Sequence, residues 1–196
     1  MILTDKQITE KIKNKEITIT PPPTPEQIQP SSIDLKLDNE FYTLIPQEQP
    51  LDIKNQNPKY NSITGNAVIL APNQFILATT KEYISLPPNL VARVEGRSSL
   101  ARLGIMIHVT AGFIDAGFEG NITLEIKNVS EQPIILYENM RIAQILFEEL
   151  GDTPDRVYGE CGNKYQGQTG VTGSMIFYDT DTDQYGGGGA WHYTLQ

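Results

Sequence analysis

Three stretches of the chain gather residue types that can bind and transform a charged small molecule. The densest is Gly96-Arg97-Ser98-Ser99-Leu100-Ala101-Arg102-Leu103-Gly104. A glycine, two hydroxyls and arginines around the start of a short helix offer backbone N–H groups, hydroxyl donors and guanidinium forks, which is what a phosphate chain needs. An ordinary serine cap with solvent-facing arginines has the same composition, and the spacing is not that of a Walker loop. The second stretch runs from Ala111 to Glu125. If residues 116–120 form a hairpin connection, Asp115 opposes Asn121, and the two-residue period puts Asn121, Thr123 and Glu125 on the face that carries Asp115. Two acids spaced along one face suit two separate jobs better than a proton-sharing dyad. A solvated hairpin face is the commoner fate of such residues. Ile114, Phe118, Ile122 and Leu124 beside them predict partial burial of Glu125, which suits a carboxylate to acid–base work. The third stretch is Tyr158 followed by Gly162-Asn163-Lys164-Tyr165-Gln166-Gly167-Gln168-Thr169-Gly170. It reads as a flexible flap whose Lys164 closes on an anion, although plain loops share its composition. His108 reads as a satisfied strand histidine, and Cys161 has no partner to activate it.

These segments need a scaffold of short strands. Ile33, Leu35 and Leu37 alternate with polar partners. Ala67–Leu70, Phe75–Thr80, Leu90–Glu95, Met106–Thr110, Ile122–Val129, Ile134–Leu136 and Ile142–Glu148 are further apolar or alternating runs, with turn signals between them. Such a pattern argues for a sandwich or barrel and against a Rossmann-type sheet. The interruption at Ser98–Leu103 reads as a short helix. At the N-terminus, Thr4 and Gln7 make a capping box with Leu3 and Ile8 as a hydrophobic staple, predicting a helix that fades near Lys15. Pro21-Pro22-Pro23-Thr24-Pro25 is an extended connector. Residues 1–174 read as one domain. Residues 175–196, with glycines from Gly186 to Gly189 and then Trp191 and Tyr193, read as a flexible tail.

Composition narrows the function classes. The 196 residues include 24 acids and 15 bases, a net charge of −9, with no basic patch of the kind that grips nucleic acid. No apolar run approaches the roughly eighteen residues that cross a bilayer, and Met1–Lys6 lacks a signal-peptide layout. Cys161 is the only cysteine, and His108 and His192 are the only histidines. A disulfide within the chain and a cysteine-built zinc site are therefore excluded. A reducing, cytoplasmic compartment is the expectation (a host's cytoplasm for a viral chain).

Taken in order, Gly96–Gly104, Thr110–Glu125 and Lys164–Gly170 resemble the dCTP deaminase branch of the dUTPase superfamily. Gln29-Pro30-Ser31-Ser32-Ile33-Asp34 and Met140-Arg141-Ile142-Ala143-Gln144 match as well, so the resemblance spans roughly Met1 to Ser174. It implies a distorted β-barrel or jelly-roll-like fold of the dUTPase type, assembled as a homotrimer with active sites shared between subunits. It also implies a zinc-free deaminase, in keeping with the cysteine count. By the same resemblance Glu125 is the catalytic acid–base residue, and Ser98 and Arg102 organise the attacking water. Arg97, Ser99, Lys164 and Tyr158 contact the triphosphate; Leu100, Ala101, Thr123, Leu124, Gln144 and Gln168 complete the nucleotide contacts. Asp115 reads the sugar and, in dUTPases, orients the water that attacks the α-phosphate. Mg²⁺ is expected to be held mainly through the substrate phosphates, with dCTP and dUTP as substrates and dTTP as an inhibitor, as in relatives.

One departure separates subtypes. Strictly deaminating relatives carry a His-Arg pair where this chain has Gly112-Phe113. Bifunctional members, which release dUMP directly, carry Ala-Gly-aromatic-Ile-Asp, as in Ala111–Asp115. True dUTPases lack an equivalent of Glu125. The bifunctional reading follows from the resemblance; a deaminase that stops at dUTP and a nucleotide-responsive binding protein on the same fold are the alternatives.

Overall fold

The computed structural model describes residues 1–53, 56–160 and 162–179. Cys161 and the expected glycine hinge and aromatic end of the tail, Gly186 to Gln196, lie outside the described residues.

Thr4 caps helix α1 (Asp5–Lys13): its hydroxyl accepts from the Gln7 N–H while the Gln7 amide oxygen accepts from the Thr4 N–H. Leu3 and Ile8, the staple pair, are both fully buried. The strands that follow are β1 (Thr18–Thr20), β2 (Ile28–Gln29), β3 (Ser32–Leu44), β4 (Tyr60–Thr64), β5 (Ala67–Leu70) and β6 (Phe75–Ser85). Next come β7 (Leu90–Gly96), helix α2 (Ser98–Ala101), β8 (Ile105–Met106), β9 (Phe113–Ile114), β10 (Glu119–Asn128), β11 (Ile134–Tyr137) and β12 (Arg141–Glu149).

One ten-stranded sheet runs β8-β10-β6-β3-β12-β7-β9, with β1 on β6 and β2 and β4 on β3; β5 and β11 pair separately. The long β3 is the pivot. Ile33 to Lys36 pair with β12, whereas Leu37 to Tyr42 pair with β6, so one strand belongs to both halves of a curled sheet. Its alternating Ile33, Leu35 and Leu37, with Phe41, face Ile145 and Phe147 of β12 and Leu124 and Ile126 of β10 in a single buried core. Truncating Phe147, which is fully buried, to alanine would cost about 3–5 kcal/mol. The mainly β architecture, a curled sheet with two short helices, is as expected.

One local expectation differs, and some local structure was not named in advance. Met106–Thr110 is not a strand: the ladder ends at Met106, and Ile107 to Gly112 leave the sheet. The polar edge strand β4 and the three-residue β1 carry too few apolar residues to announce themselves. Met175–Asp179, the start of the expected tail, includes a 3₁₀ turn at Ile176–Tyr178, and Asp179 pairs with Lys164. No helix among the described residues is long and apolar enough to cross a membrane.

Candidate active site

β10 alternates as read from the sequence. Ile122, Leu124 and Ile126 enter the core, while Asn121, Thr123 and Glu125 take the other face and are half-buried. Thr123 and Glu125 line a cavity of about 550 Å³ together with Asp115, Phe113, Tyr158 and Gln168. The Glu125 carboxylate accepts from the Thr110 N–H at 3.4 Å, a donor released because Thr110 has left the ladder. Leu44, Tyr60, Phe75 and Leu77, from β3, β4 and β6, form an apolar wall that the sequence reading missed. Its only signal was the solitary Tyr60 in a polar stretch.

The hairpin expectation is corrected. β9 pairs with β7, through Ala92–Ile114 and Arg93–Phe113, while β10 lies between β6 and β8. Phe118 is buried, and its N–H donates to the Asp115 carbonyl, so the connection turns inward instead of closing a two-stranded ribbon. Asp115 does not oppose Asn121; it reaches the cavity from the neighbouring half of the sheet.

Tyr158, Tyr165, Gln168 and the segment 172–174 roof the cavity. Gly117 has φ +83°, and a Cβ there would sit 2.7 Å from Val157, so only glycine lets this segment pass so closely. The Tyr158 ring stands edge-on to Phe118 at 5.6 Å. Burial, with the Asp115 charge adding to it, raises the Tyr158 hydroxyl pKa above the ordinary tyrosine range and keeps it a proton donor. Gln168 donates to the Asn121 carbonyl at 2.6 Å, and its buried Oε1 has no hydrogen-bond partner among the described residues. The Val171 N–H donates to Glu40, Thr172 N–H to Thr123 and Ser174 N–H to the Tyr60 hydroxyl. The expected flap is thus seated on β10, and Lys164 is held by Asp179.

A second group lies apart. Arg97, Ser98, Ser99, Leu100, Ala101, Arg102 and Gln144 do not line the cavity; Lys164 does not line it either, but its charge acts on Tyr158, which does. The N-cap of α2 is Arg97, not a serine, and its side chain makes no cap bond. It turns instead to Asp34, with Nε 3.4 Å from the carboxylate, and to the Arg141 carbonyl. Ser98, Ser99 and Arg102 are exposed. Leu100 and Leu124 are core residues, so only their backbone is available to a ligand.

The loop before Asp115 is tightly packed, and one expectation about it needs correction. A Cβ at Gly112 would lie 2.8 Å from the Val94 carbonyl and 2.9 Å from the His108 ring. His108 is not a satisfied strand histidine. It sits in the loop with Nε2 3.6 Å from Glu95, and its buried Nδ1 lacks a partner among the described residues. Phe113, by contrast, is exposed and carries Arg93 over its ring at 5.6 Å.

The sequence pattern of the dCTP deaminase-like family matches residues 2–150. A Methanosphaera stadtmanae protein named dCTP deaminase, dUMP-forming, is 46% identical over 189 residues, 92% of this chain and 96% of its own. A Persephonella marina protein of the same name is 47% identical over 186 residues, 92% of this chain and 100% of its own. One from Natronomonas pharaonis named dCTP deaminase is 41% identical over 190 residues, 92% and 97% of the two chains. The crystal structure of 2'-deoxycytidine 5'-triphosphate deaminase from Agrobacterium tumefaciens superposes with a TM-score of 0.61 at 22% identity, over 76% of this chain and 48% of that one, a likeness of fold. With the pattern matched over most of its length and relatives this similar across 92% of it, the chain belongs to the dCTP deaminase-like family.

Proposed function

We propose that the protein hydrolyses dCTP to dUMP, diphosphate and ammonia, consuming two waters. The observation that carries this reading is the convergence of Asp115, just past β9, and Glu125, on β10, on one cavity although the two strands do not pair with each other. Relatives named dUMP-forming support it, as does Ala111–Asp115, which resembles the Ala-Gly-aromatic-Ile-Asp of bifunctional members. A product of dUTP alone is the second reading, favoured by the relative named simply dCTP deaminase.

Glu125 takes a proton from the water that attacks C4 of cytosine and returns it to the departing ammonia. The Thr110 N–H holds one carboxylate oxygen, so the other is aimed by a fixed backbone donor. Asp115 orients the water for the α-phosphate, Tyr158 donates to the phosphates, and Gln168 offers its unpartnered amide oxygen to the nucleotide. Among the described residues no cluster of three or more His, Cys, Asp or Glu is placed to hold a metal. Mg²⁺ bound mainly through the substrate phosphates, with Asp115 and Glu125 as the carboxylates of the cavity, would offset phosphate charge. Deamination proceeds without zinc.

Because Ser98 and Arg102 lie off the cavity that holds Glu125, we assign them to the cavity of a neighbouring copy in a homotrimer. The test is complementation. Glu125→Gln and Arg102→Ala should each lose ammonia release, the former by about 10²–10⁴-fold. Protomers of the two variants unfolded and refolded together should regain a substantial fraction of it. A mixture as inactive as its parts would sink the shared site, and an active Glu125→Gln protein would sink the role of Glu125.

A further inference from the structure

Asp34 is a carboxylate buried to 3% exposure on β3. The register sets Asp34 opposite Gln144 of β12, and Gln144 opposite Glu95 of β7, so the three share one face of the sheet. Two guanidinium groups converge on one Asp34 oxygen. Arg141 Nη1 donates to Oδ2 at 3.0 Å, and Arg97 Nε lies 3.4 Å from it. They are also tied to each other and to the connector before β2: Arg97 Nη1 donates to the Arg141 carbonyl at 3.1 Å, and Arg141 Nη1 to the Glu26 carbonyl at 2.9 Å.

Strand alternation alone would put Arg141 and Gln144, three residues apart, on opposite faces. A bulge between Arg141 and Ala143 inserts one residue, buries both Ile142 and Ala143, and brings Arg141 to the Asp34 side. The carboxylate cannot be buried without its cations, and two like charges are not held side by side without it. Asp34, Arg97 and Arg141 by themselves carry one net positive charge in a chain of net charge −9, with Glu95 two strands away on the same face. Both side chains still reach solvent, at 27% and 39% exposure, and each planar fork has five N–H donors. A pinned, paired fork with surplus donors matches the geometry of a polyphosphate.

We infer that Asp34 is a positioning residue that fixes Arg97 and Arg141 as a paired guanidinium seat for the nucleotide's phosphate chain, with Arg141 a further phosphate-binding residue. The inference rests on the reading of Arg97 as a phosphate ligand. It extends that reading to two residues whose segments had been noted only as matching motifs.

The test is calorimetric titration of the full chain with inorganic tripolyphosphate, alongside dCTP turnover. Arg141→Gln should weaken tripolyphosphate binding by about tenfold or more, the usual weight of a lost charge-assisted bond. It should raise KM for dCTP similarly and leave kcat within about threefold. Arg141→Lys, which keeps charge without the fork, should recover only part. Asp34→Asn gives opposite signs for the two accounts: simple loss of a negative charge would tighten anion binding, whereas loss of positioning weakens it. Tighter binding by Asp34→Asn, unchanged binding by Arg141→Gln, or no binding by the parent chain overturns the seat. If Asp34→Asn does not fold by circular dichroism, Arg141→Gln alone decides. A parent chain that binds tripolyphosphate through Arg141 yet releases no ammonia from dCTP overturns the deaminase reading and leaves the seat standing.

Discussion

Asp115 and Glu125 look into one cavity although the strands beside them never pair: β9 lies on β7, and β10 lies between β6 and β8. The two acids therefore belong to different halves of the curled sheet. Approach from two sides suits two waters aimed at two ends of one substrate, and it gives the acids separable jobs. Asp115→Asn should damage diphosphate release at least as much as ammonia release, by about 10²-fold or more for a misdirected water. Parallel assays of ammonia and diphosphate check this. Loss of ammonia with diphosphate release intact would reverse the assignment.

Metal removal tests the cofactor reading. The chain has one cysteine and two histidines, too few cysteines for the His/Cys/Cys site of zinc deaminases. A zinc-selective chelator with Mg²⁺ in excess should leave ammonia release unchanged. Stoichiometric zinc whose removal tracks with lost activity would contradict it.

Glu82 makes stability depend on pH. It is 1% exposed at the break in register between β6 and β10, and accepts from the Gln27 amide and the Lys36 N–H, both at hydrogen-bond distance. Burial raises its pKa above the ordinary glutamate value of 4.5, and those hydrogen bonds offset only part of the rise. The folded chain thus holds this proton more tightly than the unfolded chain. The stability it contributes is complete below the unfolded pKa and is lost as pH rises through the folded one. In thermal unfolding, the parent should lose ground to Glu82→Gln as pH climbs from 4.5 to about 8. A constant gap between the two would show that Glu82 carries no such linkage.

What was legible in the sequence is what depends on near neighbours. The Thr4–Gln7 box, the Leu3–Ile8 staple and the alternation that sets Glu125 apart from Leu124 follow from local spacing, and each is present. The hairpin at 116–120 failed because sheet order, not turn composition, chose the partners of β9 and β10. Met106–Thr110 looks like a strand, yet Thr110 gives up its ladder position and binds Glu125 instead. Arg141 was hidden by a bulge that reverses strand parity, and the packing of Val94 and His108 against Gly112 is a tertiary contact that local spacing does not reveal.

The most direct measurement is the product of a single incubation of the protein with dCTP and Mg²⁺, with dUTP, dUMP, diphosphate and ammonia each quantified over time. Ammonia, dUMP and diphosphate should appear in equal amounts without accumulation of free dUTP. Accumulation of dUTP in proportion to ammonia would contradict the dUMP-forming account and leave a deaminase that stops at dUTP.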